Sequence, residues 1–323
     1  MGTTLITGVT GFAGSHLAGR LLAGGESVVG LARGTGGEGG RRLDPRVVFR
    51  AADVRDIDAV AALLAEARPE RVFHLAGQAS PRRSFEDPLG THEANYLGTA
   101  ALLAAVRRSG MRPRVLFASS AECYGASAAD FTDRAMPEET PLRPLSPYGA
   151  SKAAAEILCA LETRTGGTPV VCVRSFNHTG AGQTGDLVGP SFARQVAEAE
   201  AGLRPPEIRV GNLDGVRDFS DVRDVVAAYD RILDRGEPGA VYNVCSGRPV
   251  VMRSFLERLL ALARVPIRVV HDPARARPVE TPRLVGDPAR LRAATGLTFE
   301  TPLEETLGAL LESWRERVAE ARN

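Results

Sequence analysis

The first half of the chain alternates short apolar runs with alanine-rich helical patterns, and this alternation restricts the fold more than any other feature. The runs contain many β-branched residues, which is typical of parallel strands buried on both faces. Strands are predicted at 3–7, 27–31, 46–51, 71–76, 114–119 and 169–175, and helices at 14–23, 57–67, 95–109 and 147–165. The pattern therefore predicts an α/β fold with a Rossmann doubly wound parallel sheet, which binds ligands at the carboxyl ends of its strands.

The second half loses this rhythm after about residue 176, where short strands, loops and helices mix with frequent prolines. This pattern predicts a smaller α+β C-terminal lobe built from separated segments. A helix at 221–233 and a strand at 240–244 are expected to return to the main sheet. The predicted Rossmann domain comprises 1–175 with 218–247, and the second lobe comprises 176–217 with 248–323.

A glycine-rich turn joins the first strand to the first helix. Its predicted cofactor-binding residues are Gly8, Thr10, Gly11, Phe12, Ala13 and Gly14. Glycine permits a tight turn, close approach of the backbone to a pyrophosphate, and close packing of helix on strand. The first N–H groups of the helix then offer partial positive charge to the phosphates. The turn predicts a dinucleotide site, and an ordinary glycine-rich turn is the alternative.

The end of the second strand bears on which dinucleotide binds. NAD-preferring proteins usually place an acidic residue there, which bonds the ribose hydroxyls. Here Arg33 stands at that end, no acid appears, and Arg41 and Arg42 follow a run of glycines. Because arginine suits a 2′-phosphate, NADP(H) is predicted to be preferred. NAD(H) is the alternative if Arg33 is only a solvated loop charge.

Further cofactor contacts are predicted beyond the third and fourth strands. The residues are Asp53, Val54, Leu75, Ala76, Gly77 and Asn95. Asp53 and Val54 are expected beside the adenine. The others belong to the carboxyl edge of the sheet, where a dinucleotide is expected to lie.

Tyr148 and Lys152 are four residues apart at the start of a predicted helix, so both lie on one of its faces. The preceding strand ends in Ser119 and Ser120, which brings hydroxyls to the same edge of the sheet. A tyrosine titrates near ~10, and a nearby ammonium together with a positively charged nicotinamide lowers its pKa toward neutrality. We predict that Tyr148 exchanges the proton, that Lys152 tunes it and bonds the nicotinamide ribose, and that Ser120 bonds the reacting oxygen. A surface i,i+4 pair is the alternative.

Glu122 lies two residues after Ser120. A carboxylate at this distance from the predicted site fits a second acid or base acting on the substrate. A structural hydrogen-bond acceptor is an equal alternative. Gln78, which follows Gly77, is predicted to contact the substrate.

Composition excludes several classes of function. The formal net charge is +1, from 40 basic and 39 acidic residues, so no global field attracts nucleic acid or a membrane surface. No apolar run reaches the ~20 residues that span a bilayer, and no signal peptide is apparent. The four cysteines are far apart. His16, His74, His92 and His271 form no visible metal cluster and are interpreted as satisfied structural histidines. We expect a cytoplasmic protein with reduced, mostly buried thiols and no bound metal.

The motifs together resemble the extended short-chain dehydrogenase/reductases that act on nucleotide sugars. The resemblance spans nearly the whole chain. Its segments are RPLSPYGASK at 143–152, FNHTG at 176–180, VGNLDGVRDF at 210–219 and YNVCSG at 242–247. The glycine turn and the Tyr-x-x-x-Lys spacing fit the whole superfamily, whereas the second and third segments are similar to enzymes of GDP-linked sugars. The resemblance implies a GDP-linked sugar as the partner molecule and a second lobe that binds it.

The resemblance also implies roles for single residues. Phe176 and His178 would lie near the nicotinamide, and Asn177 would touch the sugar or its diphosphate. The other implied substrate-binding residues are Val188, Arg194, Arg209, Asn212, Arg217, Arg277 and Glu280. Of these, Arg217 and Arg277 would hold the diphosphate, and Glu280 the nucleotide ribose. Taken one by one, each arginine is better interpreted as a solvated charge, so these assignments depend on the resemblance.

The resemblance leaves the reaction open among three types. Reduction of a 4-keto-6-deoxy sugar is preferred, because dehydratases of the family usually carry Thr-Ser-Glu and an arginine-rich segment after Asn-His. This chain has Ser120-Ala121-Glu122 and Ala181-Gly182-Gln183 instead. Retention of Glu122 keeps a 4,6-dehydratase as an alternative, and a 4-epimerase is another. A non-catalytic dinucleotide-binding regulator is disfavoured, because such proteins often lose the tyrosine or the lysine. The resemblance also implies a homodimer joined by a four-helix seam of the helices at 95–109 and 147–165.

Overall fold

The computed structural model describes residues 2–34, 43–184, 187–275 and 281–322. Within these ranges the strands are β1 (Thr3–Thr7), β2 (Ser27–Ala32), β3 (Val48–Ala51), β4 (Arg71–His74), β5 (Arg114–Ser120), β6 (Val170–Ser175), β7 (Asn177–Thr179), β8 (Glu207–Val210), β9 (Val216–Asp221), β10 (Val241–Val244), β11 (Pro249–Val251), β12 (Arg268–His271) and β13 (Arg283–Leu284). The helices are α1 (Phe12–Ala23), α2 (Ile57–Ala67), α3 (Pro81–Glu86), α4 (Pro88–His92), α5 (Gly98–Arg108), α6 (Pro147–Arg164), α7 (Val188–Glu200), α8 (Val222–Arg235), α9 (Met252–Leu260), α10 (Ala289–Thr295) and α11 (Leu303–Glu320).

Seven parallel strands form the main sheet, in the order β10-β6-β5-β4-β1-β2-β3. The chain runs outward from β1 to β3, crosses back to β4, and then runs outward on the other side to β10. At the reversal the ends of β1 and β4 meet, since Thr7 pairs with His74. Sheets of this kind bind ligands where the winding reverses. The doubly wound sheet predicted from the sequence is confirmed, and the strand predicted at 240–244 joins it beside β6.

Helices cover both faces of the sheet. On one face α1, α8 and α10 pack around residues such as Leu17 and Ile232. On the other, α2, α5 and α6 pack around Leu64, Leu102 and Cys159. Each large apolar side chain buried in this way contributes about 1.5–3 kcal/mol. Burial of both faces explains why the strands are apolar throughout rather than alternating.

The second half of the chain contributes smaller sheets and their own helices. In one sheet β9 lies between β11 and β13 and also pairs with β7, and a second sheet consists of β8 and β12. Phe192, Phe255 and Leu310 bring α7, α9 and α11 into one apolar cluster. Asp218 in β9 is fully buried and accepts hydrogen bonds from Ser246 N, Ser246 Oγ and Gly247 N. The predicted mixture of short strands and helices is therefore present, while the division into two domains stays a prediction.

The structure corrects the predicted bounds of several elements. The first helix begins at Phe12 rather than at residue 14, and β3 begins at Val48 because Val47 N instead donates to Asp44 O in a turn. β4 ends at His74 rather than at residue 76. The helix predicted at 95–109 is the end of a longer helical run. That run begins at Pro88 and passes through a π-helical turn, Glu93–Leu97, into α5.

All four cysteines are free and buried, as expected from their spacing. Over the described ranges, no helix combines the length and the apolar character needed to cross a bilayer.

Candidate active site

The glycine turn lies at the reversal point of the sheet and leaves room for a phosphate. Gly8 has a φ of +74°, and a Cβ there would lie 2.7 Å from Ala76 N. A Cβ at Gly14 would collide with the carbonyl oxygen of Gly8. In the described structure no side chain caps α1 at Gly11, and no acidic residue occupies the first turn of α1. The backbone thus fits a dinucleotide pyrophosphate, with the amide groups of Phe12, Ala13 and Gly14 at the positive end of the helix.

Arg33 and Asp53 lie near each other beyond β2 and β3. Arg33 is exposed, and its positive charge is among the causes that lower the pKa of the Asp53 carboxyl. The largest cause is Arg55, whose Nε and Nη2 donate to the two carboxylate oxygens at 3.1 and 2.9 Å. Val54 packs close to Gly98 at the start of α5. Arg41 and Arg42 lie outside the described residues.

A short turn, 75–78, follows β4 and lies between the glycine turn and α6, the helix that carries Tyr148 and Lys152. Leu75 N donates to Thr7 O at 3.1 Å, and Ala76 N faces Gly8. A Cβ at Gly77 would lie 2.5 Å from Asn95 Oδ1 and 3.6 Å from Lys152 Nζ. Glycine is therefore required at position 77 for the backbone to approach Asn95 and Lys152.

Asn95 and Gln78 use their amide groups within the protein. Asn95 Oδ1 accepts from Gln78 N at 2.8 Å, while Asn95 Nδ2 donates to Gln78 O and to Ser151 Oγ. The Gln78 side chain donates to Ser80 O and Thr91 Oγ1. Contact with the cofactor or the substrate stays a prediction for both residues, and the structure shows that they shape the turn.

Tyr148 and Ser120 come together from α6 and β5. Ser146 caps α6 by accepting from Gly149 N at 3.0 Å, and Pro147 occupies its first position, so the helix begins just before Tyr148. Both Tyr148 and Ser120 are buried. Burial raises the pKa of the Tyr148 phenol, and the Ser120 hydroxyl lowers that pKa in part. The predicted pair is therefore brought together, but the pKa of the phenol lies above its usual value, and the predicted lowering would need the charge of a bound nicotinamide.

Lys152 lies one turn further along α6 and is also buried. Its Nζ donates to Ala118 O at 2.8 Å and lies 5.0 Å from the centre of the Phe117 ring. Burial lowers the pKa of Lys152 to about 8. The single lysine of the chain is thus an ammonium near neutral pH that loses its charge under mildly alkaline conditions.

Glu122 lies in a short 3-10 turn, Ala121–Cys123, directly after Ser120. Its charge reaches the site, because Glu122 is among the groups that raise the pKa of Tyr148, after burial as the main cause. The side chain is partly exposed. This position fits an acid or base next to Tyr148, and the choice between that role and a structural one stays open.

Gly149 determines how closely α6 approaches that turn. A Cβ there would lie 2.6 Å from the backbone oxygen of Glu122 and 3.1 Å from Pro144 Cβ. We expect Gly149→Ala to push the Ser120 turn away from Tyr148. Because displacements of about 1 Å at a reacting centre cost on the order of 10²-fold in rate, kcat should fall by about 10- to 100-fold. The measurement is kcat per folded enzyme, together with the melting temperature.

The matched control for this change is Gly308→Ala in α11. No described atom lies within 4 Å of a Cβ at Gly308, so alanine there only improves helix propensity. Gly308→Ala should keep full activity and a melting temperature at least as high as that of the parent. A Gly149→Ala enzyme of unchanged kcat would contradict the close-approach argument.

His178 lies where the second half of the chain reaches the glycine turn. Its ring stacks on Phe12, with ring centres 6.0 Å apart and planes 8° apart. Burial lowers the pKa of His178, and its Nδ1 bonds with Phe176 O at 3.0 Å. Phe176 is buried, its N donates to Val244 O at 3.0 Å, and its ring packs against Tyr124. The structure therefore brings His178 to the glycine turn, while contacts of Phe176 and of Asn177, which opens β7, with the cofactor or the substrate stay predictions.

The predicted substrate-binding residues of the second half make local contacts in this structure. Arg194 lies 3.8 Å from Glu198, and Arg209 pairs with Glu207 at 3.1 Å. Arg217 Nη1 donates to Val216 O at 2.9 Å. Asn212 Oδ1 accepts from Asp214 N, and Val188 opens α7. Arg277 and Glu280 lie outside the described residues, so the nucleotide-sugar site stays a prediction.

Two features that support the site were not predicted from the sequence. One is Gly149, although glycine directly after a catalytic tyrosine is a visible signal of close approach. The other is the position of His74, interpreted from the sequence only as a satisfied structural histidine, whose two ring nitrogens both have a buried partner, Thr7 Oγ1 and Thr99 Oγ1. The glycine turn and the Ser120, Tyr148 and Lys152 group, on this sheet, define a nicotinamide-dependent enzyme of the extended short-chain dehydrogenase/reductase class.

Comparison with known proteins identifies the family within that class. The sequence model of the family described as GDP-mannose 4,6 dehydratase matches residues 5–309, and the chain belongs to this family. A GDP-6-deoxy-D-mannose reductase of Pseudomonas aeruginosa is 39% identical over 317 residues, covering 98% of each chain. A UDP-glucose 4-epimerase of Mycolicibacterium smegmatis is 31% identical, covering 97% of this chain and 99% of the epimerase. The solved structure of RMD from Pseudomonas aeruginosa in complex with NADPH matches with a TM-score of 0.85 at 37% identity, covering 98% of this chain and 100% of RMD.

Proposed function

We propose that this enzyme reduces the 4-keto group of GDP-4-dehydro-6-deoxy-D-mannose with NADPH and gives GDP-D-rhamnose. The observation that carries the proposal is the buried group of Ser120, Tyr148 and Lys152 at the end of β5, beside the turn that follows β4. The similarity over 98% of the chain to a GDP-6-deoxy-D-mannose reductase supports the choice of substrate. The experiment is incubation with this keto sugar and NADPH, with consumption of NADPH and product structure followed together.

The cofactor is held by the backbone of the glycine turn, by the 75–78 turn and by Lys152. When bound, NADPH supplies the hydride that the C4 carbon receives. The Tyr148 phenol, which is protonated at neutral pH, donates a proton to the C4 oxygen. The positive charges of Lys152 and of the nicotinamide would lower its pKa and favour this donation. Ser120 bonds the same oxygen and fixes it against the phenol. The Lys152 ammonium stabilises the phenolate that remains.

Arg33 is the residue that we propose favours NADPH over NADH. It is exposed beyond β2. Arg55 is the main cause of the lowered pKa of the Asp53 carboxyl, and Arg33 lies close enough to contribute to it. Arg33→Ala should lower kcat/KM for NADPH by about 10-fold or more, because a charged hydrogen bond is worth about 1.5–3 kcal/mol. Its kcat/KM for NADH should change little.

The control for Arg33 is Arg50→Ala, which removes an exposed arginine of β3 that pairs with Glu66. It should leave the ratio of the two kcat/KM values unchanged. An Arg33→Ala enzyme that keeps the parent's preference, or a parent that prefers NADH, would remove Arg33 from cofactor selection.

The second half of the chain is proposed to hold the nucleotide and the diphosphate. The proposed contacts are those that the resemblance implies, with Arg217 on the diphosphate and Arg194 and Arg209 on the nucleotide. The planar guanidinium group matches phosphate oxygens. The local partners of these arginines in the present structure are neighbouring carboxylates and carbonyl oxygens, which phosphate oxygens are able to replace.

A 4,6-dehydratase is the second candidate, and the position of Glu122 is the observation that favours it. A dehydratase needs an acid near the sugar beside the Tyr148 proton donor, and Glu122 lies in the turn after Ser120. Such an enzyme converts GDP-mannose into the keto sugar without net use of NADPH. Conversion of GDP-mannose by the purified protein alone would therefore replace the reductase with this candidate.

We also propose a homodimer joined through a four-helix seam of the helices at 95–109 and 147–165, and a cytoplasmic location. These helices carry large apolar side chains that are strongly exposed, Ile157 (63%), Leu161 (50%) and Leu97 (49%), and Leu89 (77%) lies in the adjoining α4. Patches of this kind mark interaction surfaces.

The molar mass of the parent protein from light scattering should be twice the chain mass. The double variant Ile157→Glu with Leu161→Glu should have the mass of a single chain. Leu203→Glu, an exposed leucine in the second half, should remain dimeric. A monomeric parent would contradict the seam.

A further inference from the structure

We infer that His74, at the end of β4, is a positioning residue that sets the shape of the 75–78 turn and, through it, the environment of Lys152. The inference needs a bound nicotinamide cofactor but not the particular sugar proposed above. His74 is buried, and so are Thr7, Thr99, Asn95 and Ser151, the residues that connect it to the site. Together they form one continuous chain of hydrogen bonds between the glycine turn and the catalytic helix.

The hydrogen-bond partners define one state of the His74 ring. Thr99 Oγ1 donates to Asn95 O at 2.6 Å, so it accepts from His74 Nε2 at 3.1 Å. Burial lowers the pKa of His74, so the ring is neutral with its proton on Nε2. Its Nδ1 then accepts from Thr7 Oγ1 at 2.7 Å, and Thr7 Oγ1 in turn accepts from Ala76 N at 3.3 Å.

One partner of His74, Thr7, holds one end of the 75–78 turn, and the other, Thr99, bonds with the residue that holds the opposite end. At one end Thr7 holds Ala76 N. At the other, the Asn95 side chain holds both Gln78 N and Gln78 O. His74 connects Thr7 to Thr99, and Thr99 connects to the Asn95 backbone. The ring therefore sets the distance between the two groups that bind the turn, the Thr7 hydroxyl and the Asn95 side chain.

The Asn95 side chain also bonds with α6. Asn95 Nδ2 donates to Ser151 Oγ at 2.9 Å, and Ser151 Oγ donates to Tyr148 O at 2.8 Å. Asn95 itself lies in the π-helical turn, where the Gly98 amide bonds with Glu93 O. Such wide turns occur often at functional sites, and here the turn places one asparagine between the cofactor edge and α6.

The position of the turn explains why its shape matters. Gly8 of the glycine turn faces Ala76, and Lys152 Nζ faces Gly77. A shift of the 75–78 turn by a fraction of an ångström changes its contact with the glycine turn and its contact with Lys152 at the same time. It also alters the access of water to the buried ammonium.

His74 acts by geometry and not as a proton carrier. Burial and the positive charge of Lys152 lower the pKa of His74 to about 3, so the ring stays neutral at working pH. Phenylalanine in its place changes no net charge. Any change in the titration of Lys152 in that variant therefore reports altered geometry or hydration.

The test compares His74→Phe, which fills the space without hydrogen bonds, with His74→Gln, which keeps one acceptor for Thr7 and one donor for Thr99. Lys152 is the only lysine, so lysine labelled with ¹³C at Cε gives one side-chain NMR signal for the titration. The affinity for NADPH and the fluorescence of bound NADPH are measured on the same samples. These readouts do not depend on the sugar substrate, and kcat with the keto sugar is added to them.

In His74→Phe we expect the Lys152 titration to move upward from its midpoint near 8 as water enters. NADPH should still bind within about threefold, with weaker bound fluorescence, and kcat should fall on the order of 10- to 100-fold. His74→Gln should recover most of these losses. Thr99→Val, which removes the second link alone, should change the same readouts in the same direction, and it keeps the test decisive if His74→Phe does not fold.

The matched control is Thr163→Val near the far end of α6. Thr163 Oγ1 accepts from Val170 N at 3.0 Å, much as Thr7 Oγ1 accepts from Ala76 N, but it lies outside the chain of hydrogen bonds. It should lower the melting temperature without moving the Lys152 titration or kcat. The inference is overturned if folded His74→Phe keeps the parent's Lys152 titration and bound fluorescence, or if glutamine and phenylalanine give equal losses. Absence of turnover in the parent enzyme would count against the proposed substrate alone.

Discussion

Tyr148→Phe is expected to lower kcat for the keto sugar by about 10³-fold, because it removes the group that donates the proton to the C4 oxygen. The ring keeps its packing, so the Kd for NADPH should stay within about threefold. Rapid mixing with excess enzyme measures the reductive step directly, through the loss of NADPH absorbance. Fluorescence titration gives the Kd.

Tyr242→Phe is the matched control for this change. Its hydroxyl is buried in β10 and accepts from Glu237 N at 3.1 Å, away from Ser120. It should lose stability and keep kcat. If Tyr148→Phe turned over as fast as the parent, Ser120, Tyr148 and Lys152 would not be the proton-donating group.

Lys152→Met is expected to cost about 10²- to 10³-fold in kcat/KM, because it removes both the proposed stabilisation of the phenolate and the proposed bond to the nicotinamide ribose. In the parent, kcat/KM should fall as pH rises through about 8, where burial places the pKa of this ammonium. The NMR titration of the single lysine should have its midpoint at the same pH. A midpoint near ~10.4, the value of a solvated lysine, would contradict the buried placement.

The same shift predicts the effect of Lys152 on stability. Its pKa in the folded protein lies below that of the unfolded chain, so the unfolded state binds more protons between about pH 8 and ~10.4. The free energy of unfolding should therefore rise with pH in that window through this group. Below it, the buried ammonium destabilises the fold, and Lys152→Met should raise the melting temperature near neutral pH while removing activity. A lower melting temperature in Lys152→Met would contradict this.

The parts of the fold that the sequence predicts well depend on local patterns. β1 and α2 were predicted to the residue, because an apolar β-branched run has clear ends and the alanine-rich segment of α2 follows the capping residue Asp56. The i,i+4 spacing of Tyr148 and Lys152 likewise needs no tertiary information. The order of the strands follows from the rules for doubly wound sheets once the alternation is recognised.

The parts that the sequence did not predict depend on distant contacts. The π-helical turn at Glu93–Leu97 follows a helix start at Asp87 and Pro88, and its shape depends on contacts of Asn95 with Gln78 and with Ser151, 56 residues away. The role of His74 depends on Thr7, 67 residues earlier. Patterns of a single segment contain no information on such pairs, which is why the histidine could be recognised as satisfied but not placed.

The most direct test of the central claim is the product of the keto sugar with C4-deuterated NADPH, read by NMR. We predict one NADPH consumed for each GDP-4-dehydro-6-deoxy-D-mannose, with deuterium at C4 of GDP-D-rhamnose. Unchanged keto sugar, or formation of that keto sugar from GDP-mannose without consumption of NADPH, would contradict a reductase.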